Sequence, residues 1–344
     1  FVTRKKLSCK AFRHTAHYDT IISNHFTQEK FPEIFSLTFD KYCNLRYGEN
    51  PHQEACIYKE PNKHELNILN AIIHQGKQLS YNNINDADGA LALTREFDEP
   101  ACVVVKHANP CGVAIGDDIT EVFRRAYQAD ALSAFGSIIS LNRNCTKEIA
   151  EEITKVFVEI MIAPRYEPEA LPVLAQKKNL RVLEVGDLTK LQPKQEFRYV
   201  DGGLLVQYSD VHTITREELK FVTKKQPSEK ELNTMLFAWK VLKYIKSNAI
   251  LIAKDNTTVG VGAGQVSRVD AVDIALKKGR NNVHGSILAS DAFFPFRDSI
   301  DKIAGTGIRS IIQPGGSIKD EEVIAACDEH EIAMVLTVVR CFKH

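Results

Sequence analysis

Seven consecutive residues, Lys106-His107-Ala108-Asn109-Pro110-Cys111-Gly112, bring a cation, an imidazole, an amide and a glycine together. An imidazole near neutral pH can shuttle a proton, and an ammonium beside it can stabilise a developing oxyanion. The competing view is a solvated turn with a bystander histidine. Pro110-Cys111 after His107 also invites a zinc reading, because zinc deaminases carry H-x-E and P-C-x-x-C. Here position 109 is Asn and position 114 is Ala, so the ligand count fails.

Further candidates lie in the second half. Val259-Gly-Val-Gly-Ala-Gly264 has glycine spacing reminiscent of a dinucleotide fingerprint, but position 267 is Ser where the third glycine belongs. The glycines equally suit a close approach of backbones, with Arg268 three residues past Gln265. Asp291-Ala-Phe-Phe-Pro-Phe-Arg-Asp298 offers three aromatics for a flat heteroaromatic ligand and Asp298 for hydrogen bonds; packing into the core is the alternative fate of each Phe. Gln313-Pro-Gly-Gly-Ser317 reads as a tight turn or an anion-binding helix start. Arg340-Cys-Phe-Lys-His344 reads as a frayed end or a phosphate-binding tail.

These residues need elements to hold them. Ala101–Val105 is a short apolar run bounded by Pro100 and a polar turn, which predicts a strand buried on both faces. The motif at 106–112 is then a loop at the carboxyl end of a strand, where open α/β sheets bind ligands. Asp86 or Asp88 is expected to cap a helix through Ala90, Leu91, Leu93 and Phe97. Further along come a helix from Thr120, a strand at 137–141, a helix from Thr146 and a strand into Asp201–Gly203. Ser228-x-x-Glu231 is a capping box opening a helix with Leu232, Met235, Leu236 and Trp239 on one side. Strands at 249–253, 259–264, 286–290, 310–313 and 332–339 alternate with helices from Asp270 and Lys319, so the fold class is α/β. ACVVVKH and AILIAKD echo each other faintly, as a duplicated unit does. Residues 1–38 read as a helical lead-in, and 45–53 as a polar loop.

The 344 residues carry 44 Lys+Arg against 44 Asp+Glu. That balance argues against a general nucleic-acid binder or a basic membrane-surface protein. Eight cysteines without a CxxC pair fit a reducing compartment, and no apolar run reaches a membrane span. A cytoplasmic protein is expected. The chain starts Phe-Val-Thr-Arg-Lys-Lys without Met, so it is expected to begin mid-protein.

The pieces HTAHYD, LRYGENPHQ, KHANPCG, DALSAFGS, GGLLVQ, SNAILIAKD, VGVGAGQVSR, SDAFFPFRD and the terminal RCFKH occur in an order that resembles the AICAR transformylase domain of the bifunctional purine-biosynthesis enzymes. The resemblance runs from about residue 4 to the end. It implies formyl transfer from the co-substrate 10-formyltetrahydrofolate to the 5-amino group of AICAR. It also implies duplicated cytidine deaminase-like three-layer α/β/α units that lack the zinc site. Residues 1–38 then correspond to the trailing helices of a cyclohydrolase domain, 39–208 to the first unit, and 209–344 to a linker and the second. Cyclohydrolase activity is not expected from this chain.

By the same resemblance His107 is the proton shuttle and Lys106 stabilises the oxyanion, Asn248 orients substrate and Asp298 sits near the folate. Arg46, Tyr47, His107, Arg165, Asn248 and Arg340 match AICAR-binding positions, the two arginines Arg46 and Arg340 suiting its phosphate. Arg268, Val269, Phe293, Phe296, Ser317 and Ile318 fall at folate positions. No metal is expected at the catalytic centre; a structural potassium ion is compatible with the resemblance, though the sequence supplies no ligand count. The family site is completed across a homodimer, with no nucleic-acid or membrane partner. Three features depart from the pattern: the missing upstream domain, Arg165 where a small residue is usual, and Cys341 and Lys343 in the tail. The alternatives are an inactive folate- or nucleotide-binding fragment and, against the ligand count, a zinc deaminase.

Overall fold

The computed structural model describes residues 1–61 and 66–344. Contacts group the chain into two compact units, residues 1–65 with 79–81, and residues 66–78 with 82–344. The first holds a long helix, α1 (Val2–Phe26), none of whose residues is buried, and an antiparallel pair, β1 (Asp40–Asn44) with β2 (Cys56–Lys59). The helical lead-in thus ends at Phe26, and 45–53 is a loop as expected.

The second unit is built on one mixed sheet of twelve strands among the described residues. Its first half runs β3 (Ile72–Gln75), α2 (Tyr81–Thr94), β4 (Ala101–Lys106), β5 (Asn109–Ile115), α3 (Ile119–Ala129), β6 (Ser137–Leu141), α4 (Lys147–Thr154), β7 (Val158–Ala163), α5 (Ala170–Leu174) and β8 (Arg181–Glu184). An exposed ribbon, β9 (Gln195–Val200) with β10 (Gly203–Tyr208), follows. The second half runs β11 (Lys220–Phe221), α6 (Glu229–Leu242), β12 (Ile250–Lys254), β13 (Thr257–Gly262), α7 (Arg268–Gly279), β14 (Ile287–Ser290), α8 (Asp298–Ile303), β15 (Ser310–Gln313), α9 (Asp320–Glu329) and β16 (Ala333–Leu336).

The strand order is β11-β16-β15-β14-β12-β13-β5-β4-β6-β7-β8-β3. Read from the centre outward, each half repeats the other, and every corresponding pair has the same sense. The β4/β5 and β12/β13 pairs are antiparallel hairpins, β4/β6 and β12/β14 are antiparallel, and the next two pairs on each side are parallel. The halves join through β13 and β5, which are antiparallel.

The apolar runs explain the sheet's burial. Cys102 and Val104 face a core closed by Val122, Phe123, Ile149 and Ile153. By the two-residue alternation of a strand, Val103 and Val105 face the other side and are equally buried. In the second half Ile250 and Ile252 pack with Val272, Phe294 and Val323. Ser228 and Glu231 form the expected capping box, and Leu232, Met235 and Trp239 are buried on α6. The glycine run serves close approach: a Cβ on Gly260 or Gly262 would lie 2.1 or 2.0 Å from a carbonyl oxygen of α7. Gly112 does the same against Ala126 of α3, at 2.0 Å.

Four expectations are corrected. The motif at 106–112, expected as a loop at the carboxyl end of a strand, is a two-residue hairpin turn at the end of β4, because residues 109–112 continue as β5. Neither Asp86 nor Asp88 caps a helix, since α2 starts at Tyr81 and both lie inside it. The strand expected to run into Asp201–Gly203 is β9 and ends at Val200, Asp201 and Gly202 make the turn, and Gly203 already opens β10. Strands β7 and β8 with α5 between them occupy a stretch where no strand was expected. No helix among the described residues is long and apolar enough to cross a membrane.

Candidate active site

The β4–β5 hairpin turns through just two residues, His107 (φ 51°) and Ala108 (φ 58°). Successive left-handed residues give the turn type whose twist matches a hairpin, and it normally selects Asn-Gly. Neither His nor Ala favours that region. Asp86 reaches the turn from α2. Its Oδ2 accepts from the His107 amide at 3.1 Å and its Oδ1 from the Ala108 amide at 2.9 Å. Burial pushes the Asp86 carboxyl above its ordinary range, against the opposing pull of those two amides and the His107 ring.

Asn109 ties the turn to the second half of the sheet. Its amide nitrogen donates to the His107 carbonyl at 3.1 Å, and its oxygen accepts from the Lys246 amide at 3.1 Å. Lys106 Nζ donates to the Phe135 carbonyl, which leaves two of its three N–H groups for other use. Among the described residues neither ring nitrogen of the exposed His107 has a hydrogen-bond partner, so the imidazole is open to a ligand.

Two residues beyond Lys246 lies Asn248, on the wall of a cleft of about 700 Å³. Its amide donates to the Gln265 and Val266 carbonyls at 2.8 and 3.0 Å, and its oxygen accepts from Arg268 Nη2 at 2.6 Å. Arg268 Nη1 donates to Asp291 Oδ1 at 2.5 Å and to Ser290 Oγ at 2.8 Å. Ser247 Oγ donates to the other Asp291 oxygen at 2.5 Å. Asp291 is fully buried, and its carbonyl accepts from the Cys341 amide at 3.2 Å, which pins the C-terminal segment. Arg268 is itself buried, so its guanidinium acts mainly through Asn248 and Asp291.

Val269, Phe293, Phe296, Asp298 and Arg340 line the same cleft as Asn248 and Arg268. Of the three phenylalanines, Phe294 belongs to the core while Phe293 and Phe296 remain exposed, which leaves two rings for stacking. Asp298 Oδ1 accepts from the Ser299 amide at 2.7 Å at the start of α8. Arg340 lies over the Phe342 ring at 4.8 Å. Cys341 is buried, and burial holds its thiol well above the ordinary value. Burial lowers Lys343, which lies over the Tyr244 ring at 5.1 Å. The side chains of both departures in the tail therefore turn inward, away from the cleft.

Other candidates are not gathered there. Ser317 and Ile318 follow the Pro314–Gly316 wall but do not line it, and Ile318 is fully exposed. Arg165 follows β7 and pairs with Asp187 at 2.8 Å. Since β4 is antiparallel to β6 and β6 parallel to β7, Arg165 is level with Ala101 rather than Lys106. The six residues of β4, roughly 20 Å, separate it from His107. Arg46 and Tyr47 belong to the first unit, where Arg46 Nη2 donates to the Tyr47 hydroxyl at 3.1 Å. Among residues the sequence did not mark as functional, Ser247 and Asp291 sit inside quoted motifs, whereas Asp86 carried only a helix-cap signal.

A family model described as AICARFT/IMPCHase bienzyme matches residues 1–278, which span the His107 turn, Asn248 and Arg268. The chain belongs to the AICARFT/IMPCHase bienzyme family. A bifunctional purine biosynthesis protein PurH of Oceanobacillus iheyensis is 48% identical over 99% of this chain. Proteins of the same name from Bacillus cytotoxicus and Bacillus cereus are 51% and 50% identical over the same share. In each case the match spans 68% of the relative. These matches cover 99% of the chain and so extend past residue 278 through the aromatic wall.

Proposed function

We propose that this chain transfers a formyl group from 10-formyltetrahydrofolate to the 5-amino group of AICAR in purine biosynthesis, giving FAICAR and tetrahydrofolate. The observation that carries this is the tie between the His107 turn and the aromatic cleft: Asn109 joins the turn to Lys246, two residues from Asn248 on the cleft wall. A free imidazole, an ammonium with spare N–H groups and a wall with two exposed rings meet the needs of acyl transfer from a folate.

The AICAR amine is a weak nucleophile because its lone pair is delocalised into the imidazole and the carboxamide. Its nitrogen attacks the formyl carbon, the C=O electrons move onto oxygen, and Lys106 stabilises the oxyanion. His107 takes the proton that the amine must lose. As the oxyanion collapses, the bond to the folate N10 breaks, and that nitrogen receives the proton held by His107. Asn248, locked by Arg268, orients the substrate. Phe293 and Phe296 stack on the folate with Val269, Ser317 and Ile318 beside it, and Asp298 sits near its reacting end. Arg46, Tyr47 and Arg340 hold AICAR, the arginines its phosphate. No residue of this chain is assigned to ring closure of the product.

We assign residues 39–208 and 209–344 to duplicated cytidine deaminase-like units without zinc, a reading supported by the repeated strand order of the two halves of the sheet. We also assign a homodimer in which a second copy completes the site. Arg165 lies a strand's length from His107 in its own chain, and Val266, Phe296 and Val338 leave an apolar rim on the cleft. The test is to mix AICAR with 10-formyltetrahydrofolate and follow tetrahydrofolate formation. Turnover by the purified dimer is expected; no turnover overturns the assignment in favour of a non-catalytic binding fragment.

A further inference from the structure

The two halves of the sheet turn corners in the same way with different residues. The β12–β13 hairpin passes through Asp255 (φ 50°) and Asn256 (φ 54°), as the β4–β5 hairpin does through His107 and Ala108. Asp and Asn enter the left-handed region more readily than other non-glycine residues, because their short polar side chains hydrogen-bond locally. The second turn is therefore encoded by its own sequence, and among the described residues no side chain accepts from its two amides. The first turn carries an imidazole and a methyl group where Asn and Gly are preferred. It has what the second lacks, a carboxylate from another element bound to both amides.

We propose that Asp86 is a positioning residue that imposes the left-handed turn on His107 and Ala108 and thereby aims Lys106 and His107 at the reacting atoms. Both Asp86 oxygens are used, one on each amide, so the contact fixes two successive peptide planes. Asp86 lies inside α2, on a helix anchored through buried Ala87, Ala90, Leu91 and Leu93, so its carboxylate is held by packing rather than by a flexible loop. A turn built from Asn and Gly would need no such clamp, but it would have no imidazole at position 107. The clamp supplies by hydrogen bonding what the local sequence gives up to place the histidine. Its kinetic consequence rests on the formyl-transfer assignment; its structural consequence does not.

The test uses the full chain with Asp86→Ala, Asp86→Asn and the double variant Asp86→Ala/Ala108→Gly. Glycine enters the left-handed region without cost, so it replaces the clamp locally. Asp86→Ala is expected to lower kcat at least tenfold with KM for AICAR within about threefold, because phosphate-binding groups lie elsewhere. Asp86→Asn, which keeps one acceptor and nearly the same shape, falls between it and the wild type. The double variant recovers most of the loss, which a general packing defect would not allow. An Asp86→Ala enzyme with wild-type kcat overturns the inference, and so does a loss that glycine at 108 fails to repair. Should the wild type itself show no turnover, the formyl-transfer assignment fails, and amide hydrogen exchange decides the clamp. Exchange at His107 and Ala108 is expected to quicken at least tenfold in Asp86→Ala, while Val103 and Val104 in the β4 ladder stay protected. Unchanged exchange at the two turn amides overturns it.

Discussion

Replacing Arg268 by Met tests how the cleft wall is held. The Arg268 side chain is 6% exposed and that of Asp291 is 0% exposed, and they meet at 2.5 Å. Met fills much of the volume of the arginine stem, so the cavity term is small, and the dominant loss is electrostatic. Asp291 keeps the Ser247 hydroxyl but loses its only cation partner among the described residues. Breaking a buried pair from one side costs about 3–5 kcal/mol, because the remaining charge stays buried and uncompensated. Asn248 also loses a charge-assisted bond, worth about 1.5–3 kcal/mol alone. The two losses share one guanidinium, so they do not add, and about 3–5 kcal/mol is expected overall.

Urea denaturation of the wild type, Arg268→Met, Asp291→Asn and the double variant measures this directly. The double variant is expected to lose less than the sum of the singles by a coupling of about 0.5–3 kcal/mol, since the second change removes the orphaned charge. Formyl transfer, measured where Arg268→Met is still folded, should also fall, because Asn248 keeps its donors to Gln265 and Val266 but loses the acceptor-side contact that sets its rotamer. A loss of stability under about 1 kcal/mol, or singles that simply add, would refute the view that one guanidinium holds both the buried carboxylate and Asn248.

Three other outcomes are expected. His107→Ala should lose roughly 10²-fold or more in rate with substrate binding largely kept; an unchanged rate removes the imidazole from the mechanism. Gly262→Ala should destabilise by about 1–3 kcal/mol or more, because its Cβ meets the Ala271 carbonyl oxygen at 2.0 Å, whereas Gly89→Ala on α2, with nothing within 4 Å of the new Cβ, should stabilise by roughly 0.5–1 kcal/mol. Equal effects at the two glycines, read from denaturation midpoints, would contradict the close-approach account. Arg297 and then His330 lower Asp301 from 3.8 to about 2. Its contribution is therefore full above the unfolded value and is lost as pH falls from 3.8 through about 2, so Asp301→Asn should flatten that part of the acid limb of a stability–pH curve.

The fold was legible where burial writes an uninterrupted apolar run. ACVVV and AILIA are such strands, covered on both faces, and lie at the predicted place to within a residue; SIISL lies at its predicted place too, although Ser137 and Ser140 interrupt it. VEIMIA of β7 is broken by Glu159, and β8 is only four residues long and begins with Arg181, so neither announces itself as a buried run. The hairpin at His107 was illegible for a different reason. Two-residue turns announce themselves by Asn-Gly or Asp-Gly, and His-Ala gives no such sign, while the carboxylate bound to its amides comes from Asp86, 21 residues before His107. In the cleft, residue types pointed to Phe293, Phe296 and Asp298 and the family resemblance to Asn248, and all four line it. No local pattern could show that Arg268 spends its charge on Asp291, since that pairing exists only after β12, β14 and α7 have packed.

The mirrored halves allow the scaffold to be subtracted from the chemistry. Lys106 Nζ donates to the carbonyl of Phe135, just before Gly136 and β6; Lys254 Nζ donates to the carbonyl of His284, just before Gly285 and β14, at 2.9 Å. Both glycines are left-handed, at φ 73° and 77°. A lysine at the end of the hairpin strand, bonded to the carbonyl before the next strand, is therefore a property of the repeated frame and is not by itself a mark of a site. What the second half lacks is the rest. Asp255 stands where His107 does and is tied to Lys230 at 2.6 Å, and among the described residues no carboxylate binds the amides of its turn. What sets the first hairpin apart is thus three additions to a common frame: the imidazole of His107, the Asp86 carboxylate on both turn amides, and Asn109, which fastens the turn to the segment bearing Asn248. Because β13 and β5 join the halves antiparallel, the turn of the first half lies on the edge of the sheet where the parallel strands of the second half end. The hairpin that carries the histidine therefore lies at the same end of the sheet as the cleft wall that follows β14 and β15.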